Sequence, residues 1–372
     1  MSTSTGIGII GCGNIAAQYL RLAPQFKGIE LRGVADLNME AAQARGAEFD
    51  VPAYSVDDLL NRADIDIVVN LTIPAAHVAV STAILNAGKH VYSEKPFVLS
   101  TKEGEDIRAL AAEKGLRVAS APDTFLGGAH QLARHIVDSG LVGDITSGTA
   151  MVQSHGMEHW HPNPDFFFLP GAGPILDLGP YYISNLVQLI GPVKSVQALA
   201  STPSKTRVIS NGPRNGQEVP VKTPTTIHAL LEFHSGAIIT LISSWDVWAH
   251  EHANMELYGS KGSLFVPDPN FFGGALRLTS GEDAAQPPAW DHPFGIPNEG
   301  DNANYRCAGL ADMATAIREG RAHRCSLDFA HHVVDVMSSI LDSAEKGAPL
   351  TLTTTCERPA ALGPEAARAM LR

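Results

Sequence analysis

The sequence predicts a two-part chain: a wound α/β unit on a parallel sheet, then an α+β unit with an antiparallel sheet. Three observations carry this reading. Up to about residue 122, apolar strand candidates alternate with helical patterns. Beyond it, strands follow one another across turns rather than helices. The first strand also runs straight into a glycine-rich turn that opens a helix. At 372 residues the chain exceeds the size at which one core usually stops growing, so two domains are expected, over 1–122 and 123–372.

Residues 6–10 (Gly-Ile-Gly-Ile-Ile) make the first strand, and Gly11-Cys12-Gly13-Asn14-Ile15-Ala16 makes the turn before a helix through Leu20 and Leu22. Gly11 supplies the tight bend, Gly13 lets a pyrophosphate approach the backbone, and Ala16 seats the helix on the strand. Gly11, Gly13, Asn14 and Ile15 are therefore candidate dinucleotide contacts. Ile29 to Ala35 forms a second strand ending in Asp36, about 20 residues past the glycines, where an acid can bind an adenosine ribose. A 2′-phosphate would meet like charge there, and Leu37 and Asn38 offer no arginine to receive it, so NAD is expected over NADP.

Helical patterns over 39–48 and 56–61 lead to a buried strand at 65–71, and a helix over 74–87 closes at Gly88. Then Lys89-His-Val-Tyr-Ser-Glu94-Lys95-Pro96 reads as a short strand ending in a charged pair held by a proline. A lysine at the carboxyl end of a parallel strand points into the crevice where such sheets bind ligands, and Pro96 favours extended geometry at Lys95. Ser100 caps the next helix in capping-box register with Glu103, and a strand at 117–121 completes about six strand candidates.

After Pro122 a helix over 128–139 ends at Gly140, and strands are expected at 145–154, 193–200, 226–233, 237–245, 254–258 and 263–266. The Pro, Gly and Asp-rich stretch from 279 to 302 reads as a long exposed loop, followed by helices over 304–319 and 328–346 and a polar tail.

Composition narrows the function. Hydrophobic residues make up 44% and charged residues 18%, with no apolar run near the ~20 residues of a membrane helix. The start, Met1-Ser-Thr-Ser-Thr, lacks a basic leader region, so export is not expected. Cys12, Cys307, Cys325 and Cys356 show no CxxC spacing, which argues against a disulfide framework or zinc knuckle and fits a reducing cytoplasm. A formal charge of −12 (27 basic, 39 acidic residues) without a basic cluster makes nucleic acid a poor partner.

The glycine turn, Asp36, Thr72 with His77, Gly88-Lys-His-Val, Glu94-Lys95-Pro96 and Gly171-Ala-Gly-Pro-Ile-Leu-Asp177-Leu-Gly179-Pro-Tyr181 occur in the order seen in the Gfo/Idh/MocA oxidoreductase family. The chain resembles that family along nearly its whole length. The resemblance implies a Rossmann domain followed by an open, mostly antiparallel sheet, whose face often buries a homodimer or homotetramer interface. It also implies NAD(P)-linked oxidation or reduction of a sugar, cyclitol or related polyol. It maps the family's catalytic lysine onto Lys95, its site aspartate onto Asp177 and its third site residue, commonly histidine, onto Tyr181. Thr72, His77 and Glu94 join the implied cofactor site. Tyrosine in that slot resembles the glucose–fructose oxidoreductase and sugar or dihydrodiol dehydrogenase branches. Phe125-Leu-Gly-Gly departs from the arginine and aromatic pair of many relatives. Two other readings share the fold: an oxidoreductive glycosidase that keeps its NAD, and a non-enzymatic dinucleotide or sugar sensor. Intact Lys95, Asp177 and Tyr181 favour an enzyme.

The residues agree with that chemistry. Hydride transfer to or from a carbinol carbon requires a proton to leave or reach its oxygen. Lys95 and Tyr181 are both suited to this if burial, nearby charge or a positive nicotinamide ring brings their usual pKa near 10 towards neutrality. Asp177, four residues before Tyr181, shares a helical face with it if a helix begins at about 177; otherwise it is a plain N-cap of the helix to Ile190. His155, His159, Trp160 and His161 invite a metal reading, but no cysteine is near and the spacing is not a zinc pattern, so no metal is expected. They are read as a substrate loop, with Trp160 a platform for a sugar face. Trp245, Trp248, His250 and His252 are either the same wall or core aromatics.

Overall fold

The computed structural model describes residues 4–372; Met1 to Thr3, part of the start read above as lacking a leader, lie outside them. The first part alternates strand and helix: β1 (Thr5–Ile10), α1 (Asn14–Leu22), β2 (Ile29–Ala35), α2 (Met39–Phe49), β3 (Ala53–Tyr54), α3 (Val56–Asn61), β4 (Ile67–Asn70), α4 (His77–Asn86), β5 (His90–Ser93), α5 (Thr101–Lys114) and β6 (Val118–Ser120). Every strand pair is parallel and the order is β3-β2-β1-β4-β5-β6. Helices cover both faces, so β1 and β4 are wholly buried and read as unbroken apolar runs rather than alternating ones. The order reverses between β1 and β4, which opens a crevice at the carboxyl ends of those strands. The two-residue β3 has no strand signature in the sequence. The Ser100 capping box forms as expected.

The second part comprises α6 (Gly128–Asp138), β7 (Ile145–Gln153), α7 (Pro174–Asp177), α8 (Gly179–Ile190), β8 (Val193–Ser201), β9 (Thr206–Val208), β10 (Glu218–Pro220), β11 (Thr226–Phe233), β12 (Ile238–Ser244), β13 (Met255–Gly259), β14 (Ser263–Val266), β15 (Arg277–Ser280), β16 (Asp283–Ala285), α9 (Ala308–Glu319), α10 (Leu327–Lys346), β17 (Leu350–Thr351) and α11 (Pro364–Met370). Nine strands join in the order β16-β15-β14-β13-β7-β12-β11-β8-β17, and β9 pairs with β10 alone. Only the β7–β12 pair is parallel, so the sheet is mostly antiparallel. α8 and α10 pack on one side of it, and Leu199, Leu230 and Ile238 stand exposed on its strands.

Three sequence expectations are corrected here. The 279–302 stretch is not one exposed loop: it holds the β15–β16 hairpin, and His292, Pro293 and Phe294 are buried, Phe294 against Phe26 and Tyr305. One inward leucine, Leu278, and one aromatic anchor are too sparse a signal among prolines and acids. The polar tail contains β17 and α11, and Phe26 bridges to Leu371, so the chain end docks back on the first unit. Finally, Asp177 and Tyr181 do not share one helix. α7 ends at Asp177 and α8 restarts at Gly179, because Pro180 lacks an N–H and is tolerated only in a first turn. Among the described residues no helix is long and apolar enough to cross a membrane.

Candidate active site

The glycine turn follows β1 at the point where the sheet reverses. Gly11 has φ +104°, and a Cβ there would lie 2.6 Å from the Leu71 carbonyl carbon, so the bend requires glycine. At Gly13 a Cβ would meet nothing within 4 Å, which leaves open space over the turn. Gly13 and Asn14 are exposed and Ile15 is half-buried. No side chain caps α1, so its first-turn N–H groups are left for an anion. Asp36 is fixed beside them: Oδ2 accepts from the Cys12 amide at 2.8 Å and Oδ1 from the Asn38 amide at 2.9 Å. These residues fit an extended dinucleotide.

Thr72 sits at the end of β4, its hydroxyl donating to Asn70 at 2.7 Å. His77 is 1% exposed, with Nδ1 2.8 Å from the Pro96 carbonyl and Nε2 3.0 Å from the Thr72 carbonyl. It therefore ties the turn after β4 to the turn after β5 from behind, rather than presenting a face to a ligand.

Lys95 lies two residues past β5, and its peptide bond to Pro96 is cis. Its ammonium donates to Asp177 twice, to the backbone carbonyl at 2.8 Å and to Oδ1 at 2.7 Å. It also lies 5.3 Å from the Tyr181 ring centre. The fold thus assembles Lys95, Asp177 and Tyr181 although α7 and α8 are separate. Because Asp177 closes α7 and pairs with Lys95, the N-cap alternative for it does not hold. The expected lowering of the Lys95 pKa is also corrected. Burial is the largest single influence and works against its charge, but Asp177, Tyr181 and Glu94 together outweigh it and raise the pKa above the usual lysine range. The Tyr181 side chain is largely buried, yet its hydroxyl is not among the sealed polar atoms lacking a partner, as that of Tyr92 is.

Glu94 is a buried support. One oxygen accepts from Tyr19 at 3.0 Å and from Arg306 at 3.0 Å, the other from the Lys95 amide at 2.8 Å. Burial opposes its charge, but Arg306 and Lys95 hold its carboxyl below the usual range. Arg306 was missed by sequence reasoning. It arrives on the segment before α9, and burial fails to lower its pKa because Tyr181, Glu94 and Tyr19 all face it. A signal existed: a helix read from 304 would put a cation in its first turn, where the helix dipole disfavours it. The actual start is held by Asp123, which accepts from the Cys307 and Gly309 amides at 3.1 and 3.0 Å, while Cys307 takes φ +95°. Burial pushes the Asp123 carboxyl up to about 6.

The loop after β7 carries the other predicted residues. His155 stacks on Trp248 with ring centres 3.3 Å apart, His159 is exposed, Trp160 is 56% exposed, and His161 meets Trp160, Phe166 and Phe167 edge-on. No hydrogen bond links them to Lys95, Asp177 or Tyr181 among the described residues. Trp245 is a core aromatic at 1% exposure, whereas Trp248 is 82% exposed. No group of three or more His, Cys, Asp or Glu side chains is placed to hold a metal ion among the described residues.

Comparison with known proteins fits this geometry. Residues 5–121 match a family described as an oxidoreductase family with an NAD-binding Rossmann fold, and residues 130–265 match the GFO/IDH/MocA C-terminal domain. An uncharacterized oxidoreductase of Schizosaccharomyces pombe is 30% identical over 161 residues, covering 42% of this chain and 42% of its own. A second from the same organism is 27% identical over 194 residues, covering 48% and 52%; the chain thus spans about half the length of these curated relatives. The dTDP-3,4-didehydro-2,6-dideoxy-alpha-D-glucose 3-reductase of Streptomyces violaceoruber is 28% identical over 320 residues, 83% of this chain and 82% of that one. In fold, the chain is similar to levoglucosan dehydrogenase in complex with NADH and levoglucosan, with TM-score 0.80 at 22% identity over 94% of this chain and 100% of that one. With both of its domains matched in order, and the glycine turn and Asp36 in place for the dinucleotide, the chain belongs to the GFO/IDH/MocA family of NAD-binding oxidoreductases.

Proposed function

We propose that this chain is an NAD-dependent dehydrogenase or reductase acting on a hydroxyl or keto carbon of a sugar or sugar derivative, with Lys95, Asp177 and Tyr181 as its catalytic residues. The observation that carries the reading is the Lys95–Asp177 pair beside Tyr181 at the carboxyl end of the parallel sheet, where a hydroxylated carbon can meet both. NAD, held by Gly11, Gly13, Asn14, Ile15, Asp36 and Thr72, supplies the hydride acceptor. Lys95, charged and aimed by Asp177, orients the substrate oxygen and stabilises negative charge growing on it. Because its raised pKa keeps it protonated, it cannot accept the proton; Tyr181, with its hydroxyl unsealed, accepts it as the phenolate in oxidation and returns it as the phenol in reduction. Glu94 and Arg306 position the Lys95 backbone from behind. Sugar-acting relatives support a carbohydrate substrate, with Trp160 and the histidines at 155, 159 and 161 as its outer wall.

We place the domain boundary at residues 122 and 123, and read the exposed Leu199, Leu230 and Ile238 face as a homodimer or homotetramer contact. Four free, buried cysteines fit a cytoplasmic protein. The test is a screen of aldoses, polyols and glycosides with NAD and NADP, following absorbance of the reduced nicotinamide. Turnover of a glycoside without added NAD would replace this reading with the oxidoreductive glycosidase. Dinucleotide binding with no turnover of any compound would replace it with a sensor.

A further inference from the structure

We infer that Arg45 is a latent ligand for the 2′-phosphate of NADP, stationed at the adenosine end of the dinucleotide site and opposed there by Asp36. The inference rests on the dinucleotide site alone and is independent of the substrate reading above. The residues next to Asp36 in sequence, Leu37 and Asn38, provide no cation; folding brings one from α2. Arg45 leans back onto the glycine turn, where Nη2 donates to the Gly13 carbonyl at 3.2 Å. Nη1 pairs with Glu48 at 2.5 Å, and Nε is sealed from solvent without a partner. The side chain is only 18% exposed, unusual for an arginine on an outer helix.

The acid and the cation therefore flank one short stretch of backbone. Asp36 accepts from the amide of Cys12, and Arg45 donates to the carbonyl of Gly13, the next residue. Over Gly13 there is open space. Each guanidinium Nη keeps a hydrogen beyond the bonds described, enough for a bidentate grip on a phosphate oxygen pair. With Asp36 ionised, a phosphomonoester here gains from Arg45 and loses to Asp36, so NAD is preferred. Remove the acid's charge, and attraction to Arg45 is left unopposed. A pyrophosphate contact is the other phosphate chemistry open to Arg45, and it makes a different prediction, since NAD and NADP share that group.

Calorimetric titration of the full chain with NAD and with NADP separates these. Relative to the unmodified protein, Asp36→Ser is expected to tighten NADP binding by about tenfold or more. Adding Arg45→Met should then weaken NADP about tenfold while weakening NAD by less than about threefold, and Arg45→Lys in the same background should keep part of the gain. An Asp36→Ser protein with no gain for NADP would overturn the inference. So would a double variant that binds NADP as tightly as Asp36→Ser, or one that loses NAD and NADP equally. If Arg45→Met binds neither nucleotide, Arg45→Lys decides: a retained NADP gain supports the role, and its loss overturns it.

Discussion

Glu94 and Arg306, 212 positions apart in the chain, form an ion pair at 3.0 Å directly behind Lys95. Both side chains are largely buried, so neither charge has water to fall back on. Removing only the guanidinium leaves a buried, unpaired carboxylate, which is far costlier than removing both charges. Arg306→Met is therefore expected to lose about 3 kcal/mol of stability, and Arg306→Met with Glu94→Gln to recover much of it. Urea unfolding of the two single variants and the double variant measures the coupling. Strict additivity would show that the pair does no work.

Lys95 is held charged by Asp177, which fixes what each substitution should do. Lys95→Ala should lower kcat by about 10²-fold or more while NAD still binds. Asp177→Asn removes the largest of the contributions that oppose burial, so the lysine should shed its proton at lower pH than in the unmodified protein. Rate profiles should then gain a fall-off on the alkaline side that the parent lacks. Near-normal turnover in Lys95→Ala would remove the residue from the mechanism.

Acid should unfold the protein earlier than its carboxylates alone require. His130 donates from Nε2 to the Phe271 carbonyl and accepts at Nδ1 from the Asn185 side-chain amide; His292 accepts from the Phe294 amide and donates to the Leu362 carbonyl; His332 accepts from the Val193 amide and faces the Thr354 hydroxyl. Each ring thus uses one nitrogen as an acceptor, a role the protonated form cannot fill. Burial lowers all three to about 4. Between pH 6.5 and 4 the unfolded chain binds protons that the folded chain refuses, so stability falls as pH falls through that window. At pH 5 the loss should be of order 1–2 kcal/mol per ring. His332→Gln should flatten the slope of unfolding free energy against pH; an unchanged slope would show that this ring does not carry it.

How legible all this was depended on how local the cause is. β1, the glycine turn and Asp36 are coded within one strand–turn–helix–strand unit, and the structure places them as the sequence implies. The break at Leu178 was also local, since Pro180 forbids a continuous helix, but the shared spacing of Asp177 and Tyr181 drew the reading the other way. For Arg306 the sequence held only the indirect sign of a cation in the first turn of a helix read from 304, and Arg45 was not legible. Their partners, Glu94 and Gly13, lie 212 and 32 positions away, and only the folded chain brings them together. The same holds for the chain end, where α11 looks polar because only Ala367 of it is buried.

Tyr181 offers the sharpest division between packing and chemistry. Its ring lies in the first turn of α8, largely buried, with the Lys95 ammonium 5.3 Å from its centre. Tyr181→Phe keeps that ring and the contact with the ammonium and deletes only the hydroxyl. A purely structural tyrosine would lose little, because its hydroxyl makes no described hydrogen bond that the fold depends on. A proton carrier would lose most of its turnover, about 10²-fold, with KM changed far less. Restoring a side chain that can carry a proton separates the roles again: Tyr181→His should recover part of the turnover that Tyr181→Phe loses. If Tyr181→Phe keeps most of its rate, the phenol is packing, and the proton must leave through Lys95 despite the hold of Asp177 on it.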